Sequence, residues 1–180
     1  DTKENPLLHV TPNVEMNVNL MEQSWRNNVK KFLFISSNTS YPDMGSGWCT
    51  EDINVHATPT FPIYGAVGNM KRYGELLCSF FSNQIHNPMQ CLIVRPSNAF
   101  GPNDKFDYEK CHVTPANIRK VADGLNPIPV WGDGTEVREP LLLLKQGEGI
   151  FFGGVSSSLK ILICSKMEQI DSPQMYLCCL

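Results

Sequence analysis

The sequence predicts an α/β chain built on a parallel sheet, and three features carry that prediction. Two short, nearly continuous apolar runs, "KKFLFISS" (30–37) and "QCLIVRP" (90–96), are bounded by polar residues. Strands covered on both faces read this way, because neither side alternates toward water. The third feature is order: a helix-period segment precedes the first run and another separates the two, and alternation of helix and strand implies crossover connections in a parallel sheet.

Taken in order, residues 13–28 place Val14, Val18, Met21 and Trp25 on one stripe, so a helix is expected there. The first strand is expected at 31–36. Residues 42–62 hold five prolines and glycines with few periodic apolar positions, the composition of a long loop at a strand's carboxyl end. A second helix is expected from about 68 to 83, with Tyr73, Leu76, Leu77, Phe80 and Phe81 on its apolar side. The second strand follows at 90–95. In "HVTPANIRKVADG", Thr114 suits the N-cap, Pro115 the first helical position and Gly124 the residue past the end. "IPVWGDG" (128–134) reads as a short strand entering a glycine turn. After Glu139 the apolar clumps show no clear period.

Charge and composition exclude several classes. A formal charge of −3 with scattered lysines and arginines leaves no basic stripe for a nucleic acid to follow. No apolar run approaches the roughly 20 residues of a bilayer span, and "DTKENPLLHV" is not a secretory leader, so a cytoplasmic chain is expected. Seven cysteines occur without a C-x-x-C pair, and no metal site is expected. The sequon at Asn38 is expected to stay unmodified.

Three segments, "KKFLFISSNTSYP", "MKRYGELL" and "CLIVRPSNAFGPNDKFDYEKCHVTPANIRKVADG" with "VWGDGTEVRE" after it, resemble the extended short-chain dehydrogenase/reductase family, most closely its GDP-fucose synthase-like branch. The last is the most specific: Arg-Pro-x-Asn-x-x-Gly-Pro, Cys-His-Val-x-Pro-Ala and Trp-Gly-x-Gly-x-x-x-Arg-Glu recur in that order. The resemblance covers roughly residues 10–139 and implies the C-terminal half of a Rossmann-like, doubly wound parallel sheet with a small irregular substrate-binding part. The implied division is 1–104 for the nucleotide-binding domain and 105–180 for the substrate-binding one. The implied activity is epimerisation, reduction or dehydration of a nucleotide sugar with NAD or NADP.

Residue by residue, the resemblance makes Ser37 the hydroxyl that hydrogen-bonds the reacting oxygen. Lys71 becomes the ammonium that lowers the pKa of the proton-transferring tyrosine, and His112 a general acid. Lys71, Arg95 and Pro96 fall at the cofactor, and Asn98, Lys120, Trp131 and Arg138 at the substrate. The tyrosine departs from the pattern. Tyr64 lies seven residues before Lys71 where the family has four, and Val67 stands at that place. The expectation is that Tyr64, in a flexible approach to a helix beginning near 68, substitutes poorly; from spacing alone Tyr64 would be a loop aromatic and Lys71 a solvated helix lysine. Thr39 stands where the branch keeps a cysteine for epimerisation. The Gly-x-Gly-x-x-Gly unit is missing as well, since "GAVGNM" and "GEGIFFGG" do not sit between a strand and a helix. An incomplete enzyme is therefore expected, with a non-catalytic dimerisation or binding fragment as the alternative. Members of the family commonly pair through the two helices, and Met21, Trp25, Phe80 and Phe81 suggest a homodimer here.

Overall fold

A computed structural model describes residues 5, 7–45, 50, 53–130, 132, 140–146, 149–154 and 176–178; for the last three segments only the backbone is described. These residues fall into two compact units, one running to Arg95 and including 176–178, the other from Pro96 to Gly154.

The first unit is a sheet with two helices. Strand β1 (Lys31–Ile35) pairs in parallel with β2 (Gln90–Val94), Lys31 opposite Gln90 and Ile35 opposite Val94. A third strand, which we call β6 because it is last in the chain (Tyr176–Cys178), pairs in parallel with the other edge of β1, giving the order β2-β1-β6. The two apolar runs are therefore parallel neighbours, as their composition predicts. Helix α1 (Thr11–Arg26) and helix α2 (Gly65–Asn83) pack against each other. Met21 from α1, Cys78 and Phe81 from α2, and Phe32, Phe34, Cys91 and Ile93 from the strands form the buried core with Met89. Trp25 packs against its edge, its ring centroid 6.4 Å from that of Phe81. Gly74 lets α2 approach β1: any Cβ there would overlap the Phe34 ring.

Helix α2 differs from its sequence expectation in two ways. It begins at Gly65, not near 68, because a 3₁₀ turn at Pro62–Tyr64 leads directly into it and Gly65 adopts helical dihedrals. Its expected apolar side is also split: Phe81 is buried in the core and Leu77 packs against it, but the other three residues are not buried. Tyr73, Leu76 and Phe80 are 44%, 50% and 40% exposed, whereas Lys71, Arg72 and Glu75 are buried. The 41–61 excursion is closed at its base by an antiparallel bridge between Pro42 and Thr60.

In the second unit, β3 (Asn98–Phe100) pairs in parallel with β4 (Pro140–Gln146), and β4 pairs antiparallel with β5 (Gly149–Gly154). Strands thus occupy 140–146 and 149–154, where no period was readable, and Ile128–Val130, expected as a strand, are irregular. Helix α3 (Val113–Ala122) has His112, not Thr114, as its N-cap. The Ala116 N–H donates to the His112 carbonyl at 3.0 Å and closes the first turn early. Pro115 still lies within that turn, where its missing N–H costs no helix hydrogen bond. Gly124 follows the C-cap with φ +72°, the left-handed conformation that a glycine terminator supplies. Among the described residues no helix is long and apolar enough to cross a membrane.

Candidate active site

The carboxyl end of β1 turns at Ser36–Tyr41. Ser37 is extended (φ −159°, ψ 156°) and caps a 3₁₀ turn at Asn38–Ser40, its Oγ accepting from the Thr39 N–H at 3.2 Å. Lys71 comes to this turn from the second full turn of α2. Its Nζ donates to the Ile35 carbonyl at 3.0 Å, two residues before Ser37, and lies 5.7 Å from the centroid of the Phe34 ring. Lys71 is 9% exposed, so the alternative of a solvated helix lysine does not hold.

One turn on, the buried Glu75 carboxylate joins three elements. It accepts from the Ser36 hydroxyl and takes a bidentate pair from Arg95, Nε to Oε1 at 2.9 Å and Nη2 to Oε2 at 2.6 Å. A fork-to-fork pair of this kind fixes orientation as well as charge. Burial alone would lower the Arg95 pKa, but the hydrogen bonds to and charge of Glu75, followed by the contribution of Tyr41, carry it above its ordinary value. The Arg95 guanidinium also lies 5.0 Å from the Tyr41 ring centroid. Arg72 donates from Nε to the Ser40 carbonyl at 2.7 Å and from Nη1 to that of Thr58. His56 faces the same group. Its pKa is lowered, first by burial; the Glu75 charge opposes this and the Arg72 and Arg95 charges add to it.

Tyr64 is the residue immediately before α2, 42% exposed, with its ring 6.0 Å from that of Phe61. Among the described residues its hydroxyl makes no hydrogen bond. Because α2 is continuous from Gly65, Tyr64 and Lys71 are separated by about 10.5 Å of helix rise, and no flexible approach shortens it. Val67, half-buried, occupies the place one turn before Lys71.

The remaining expected residues belong to the second unit. Pro96 opens it, Asn98 begins β3 opposite Pro140, and His112 is the exposed N-cap of α3. Lys120 donates to the Pro129 carbonyl at 2.6 Å. Trp131 and Arg138 lie outside the described residues. Sequence reasoning assigned no role to Glu75, Ser36, Ser40, Tyr41 or Arg72. The available signal was the helical spacing of Gly68, Lys71, Arg72 and Glu75, a small and charged stripe on one face.

These residues fit the reacting end of a nicotinamide dinucleotide. Two residues after Ser37, the buried Thr39 hydroxyl has no hydrogen-bond partner among the described residues. They do not supply a pyrophosphate cradle. The glycines of "GAVGNM" lie inside the first turns of α2 with a 3₁₀ turn before them, and Gly149–Gly154 is a strand.

Residues 1–141 match the family model described as NAD dependent epimerase/dehydratase. The chain is 31% identical to the GDP-L-fucose synthase of Sinorhizobium fredii over 138 residues, which is 74% of this chain and 43% of that protein. It is 28% identical to the GDP-L-colitose synthase of Yersinia pseudotuberculosis, over 82% of this chain and 49% of that one. Among solved structures, a GDP-L-fucose synthetase from Naegleria fowleri bound to NADP superposes with a TM-score of 0.62 at 28% identity, covering 72% of this chain and 43% of that one. The chain spans slightly under half the length of these curated relatives. The matched span and the sheet it forms make this chain a member of the NAD-dependent epimerase/dehydratase family.

Proposed function

We propose that the chain carries the reacting end of an NAD- or NADP-dependent enzyme that modifies a nucleotide sugar. The observation that carries this reading is Lys71, a buried ammonium held by the Ile35 carbonyl at the carboxyl end of a parallel strand, two residues before Ser37. In such folds the carboxyl ends of strands are where ligands bind. When bound, a nicotinamide supplies or accepts the hydride. Ser37 would hold the reacting sugar oxygen, and the Lys71 charge would favour the ionised form of a neighbouring proton donor. Thr39 in place of a cysteine removes an acid of suitable pKa for epimerisation, which favours reduction of a keto sugar; related structures include a GDP-mannoheptose C4 reductase from Campylobacter jejuni with NADP bound.

Asn98, His112 and Lys120 in the second unit, with Trp131 and Arg138, would serve the sugar and its diphosphate. Arg95 and Pro96 would serve the cofactor end. Exposed Met16 and Leu20 on α1 and Tyr73, Leu76 and Phe80 on α2 support a homodimer through these helices, in a cytoplasmic protein.

Isothermal titration with NADP, NAD and GDP-sugars tests the reading. Saturable binding of a dinucleotide and a GDP-sugar is expected, and absence of binding to every ligand would overturn it. One observation favours a second reading, a non-catalytic binding or dimerisation module: Tyr64 is exposed and Val67 fills the place one turn before Lys71. A protein that binds ligand but leaves reduced nicotinamide unchanged with keto-sugar nucleotides would be that module.

A further inference from the structure

We propose that Arg72 and Glu75 are positioning residues that hold the Ser37–Thr39 turn in register with Lys71, an inference that takes the purpose of the turn from the nucleotide-sugar reading. The residues of α2 that face the turn are Gly68, Lys71, Arg72 and Glu75, spaced as one face of a helix. Each meets a different point of the chain. Gly68 lies so close to the Thr39 carbonyl that a Cβ would overlap it, and the same Cβ would come within 2.8 Å of Thr60 Cγ2. Lys71 takes the Ile35 carbonyl. Glu75 takes the Ser36 hydroxyl, which lies 3.0 Å from the hydroxyl of Ser40. Arg72 takes the Ser40 carbonyl and, through its other arm, that of Thr58. Ile35, Ser36, Thr39 and Ser40 are therefore each fixed from α2. Ser37 and Asn38 are left at the apex, presented by a turn that cannot slide.

A helix that only needed to bury this face would do so more favourably with apolar side chains. Placing two cations and one carboxylate of this face out of water carries a desolvation cost that pairing, including that of Glu75 with Arg95, only partly offsets. Here that cost includes Arg72 Nη2, buried without a partner among the described residues. The same helix turns Tyr73, Leu76 and Phe80 outward. The charged face does what an apolar one would not: it sets the orientation of individual carbonyl and hydroxyl groups around Ser37, as a reacting constellation demands. Arg72 also joins both limbs of the 41–61 excursion beside the Pro42–Thr60 bridge, so turn and excursion share one anchor.

The test compares Arg72→Met, Arg72→Lys and Glu75→Gln with Arg26→Met, a control at an exposed pair on α1. Hydrogen exchange of the whole protein is read by mass spectrometry, and turnover by nicotinamide absorbance with NADPH and a GDP-linked keto sugar. In Arg72→Met and Glu75→Gln, amides of 37–42 and 58–62 are expected to exchange about tenfold faster while α1 is unchanged. Turnover should fall with KM for NADPH held, and Arg72→Lys should recover part of both, since one ammonium cannot span two carbonyls as a guanidinium does. Unchanged exchange at 37–42 in both Arg72→Met and Glu75→Gln would overturn the proposal, as would equal loss in Arg72→Lys and Arg72→Met. If Arg72→Met does not fold, Glu75→Gln and Arg72→Lys decide the matter by the same exchange. Faster exchange in a protein whose unmodified form neither binds nor turns over these ligands would sink the nucleotide-sugar reading and leave the clamp standing.

Discussion

The Lys71 ammonium donates to the Ile35 carbonyl at 3.0 Å, so the helix face of α2 and the carboxyl end of β1 are fixed to each other by a charge-assisted hydrogen bond. That bond gives a prediction. Lys71→Met should cost about 1–3 kcal/mol, because it leaves a buried carbonyl unpaired. It should also weaken dinucleotide binding under the proposed function. Urea unfolding measures the first and calorimetric titration the second; a variant as stable as the parent would show that water replaces the ammonium without loss.

Gly74 makes a second prediction, independent of function. A methyl group there has nowhere to go except into the Phe34 ring, which is itself fully enclosed in the core. Gly74→Ala should destabilise the protein by about 1–3 kcal/mol despite the higher helix propensity of alanine, and Phe34→Leu should recover part of the loss in the double variant. Simple additivity of the two would count against direct packing.

How far the sequence disclosed these relations depended on which physical signal each residue left. The runs around Phe32–Phe34 and Cys91–Val94 were legible because strands buried on both faces leave an unbroken apolar mark. Lys71 and Ser37 were brought to the same strand end through the family's spacing, whereas Glu75 left no signal that was read. The division of the expected α2 side was not legible, since Tyr73, Leu76 and Phe80 have helical period with Leu77 and Phe81 whether they face a core or the outside, and period alone does not say which. The early start of α2 was missed because Gly65 and Gly68 read as breakers; Gly68 is in fact where the helix must approach the Thr39 carbonyl. Strands at 140–146 and 149–154 were hidden because one pairs in parallel with a three-residue partner distant in the chain.

A third prediction concerns pH and the clip that holds α3. The Tyr108 hydroxyl donates to Asp123 Oδ2 at 2.7 Å and Arg119 Nε donates to the same oxygen at 2.8 Å. The Tyr108 hydrogen bond, followed by Arg119, lowers the Asp123 pKa, and the hydrogen bond to Asp123 raises that of Tyr108. The signs differ. The Asp123 contribution is complete above the ordinary carboxylate range of about 4 and is lost as pH falls through the depressed value. The Tyr108 contribution is complete below the ordinary tyrosine range of about 10 and is lost as pH rises through the raised value. In an ultraviolet titration one phenol should therefore ionise above its ordinary value, and Asp123→Asn should bring it back. An unchanged curve in that variant would dissociate the two groups.

The exposed apolar side chains of the helices make the fourth. If the proposed homodimer forms through α1 and α2, Leu76→Glu should convert it to monomer without loss of helix content, because Leu76 is half exposed and leaves the core untouched. A stable interface would need to cover about 800 Å² on each copy. Sedimentation of both proteins measures it. A monomeric parent at micromolar concentration would remove the dimer.

The last prediction concerns the proton donor. Tyr64 ends a 3₁₀ turn and precedes a continuous helix, so its distance from Lys71 is set by helix rise, about 10.5 Å for seven residues. A residue at 67 lies about 6 Å from Lys71 along the axis and close to the same face. Installing a phenol there, in Val67→Tyr, should place it where the Lys71 charge favours its ionised form and where Ser37 can share the reacting oxygen. A positioned acid or base contributes about 10²–10⁴-fold in rate, so Val67→Tyr should raise turnover of a keto-sugar nucleotide by about 100-fold, even from a weak or undetectable parent rate. Tyr64→Phe should change turnover by less than about threefold, as befits a hydroxyl without a partner near the lysine. The opposite pair of results, an inactive Tyr64→Phe and an unimproved Val67→Tyr, would mean that Tyr64 reaches the substrate directly and that its separation from Lys71 along α2 does not govern the chemistry.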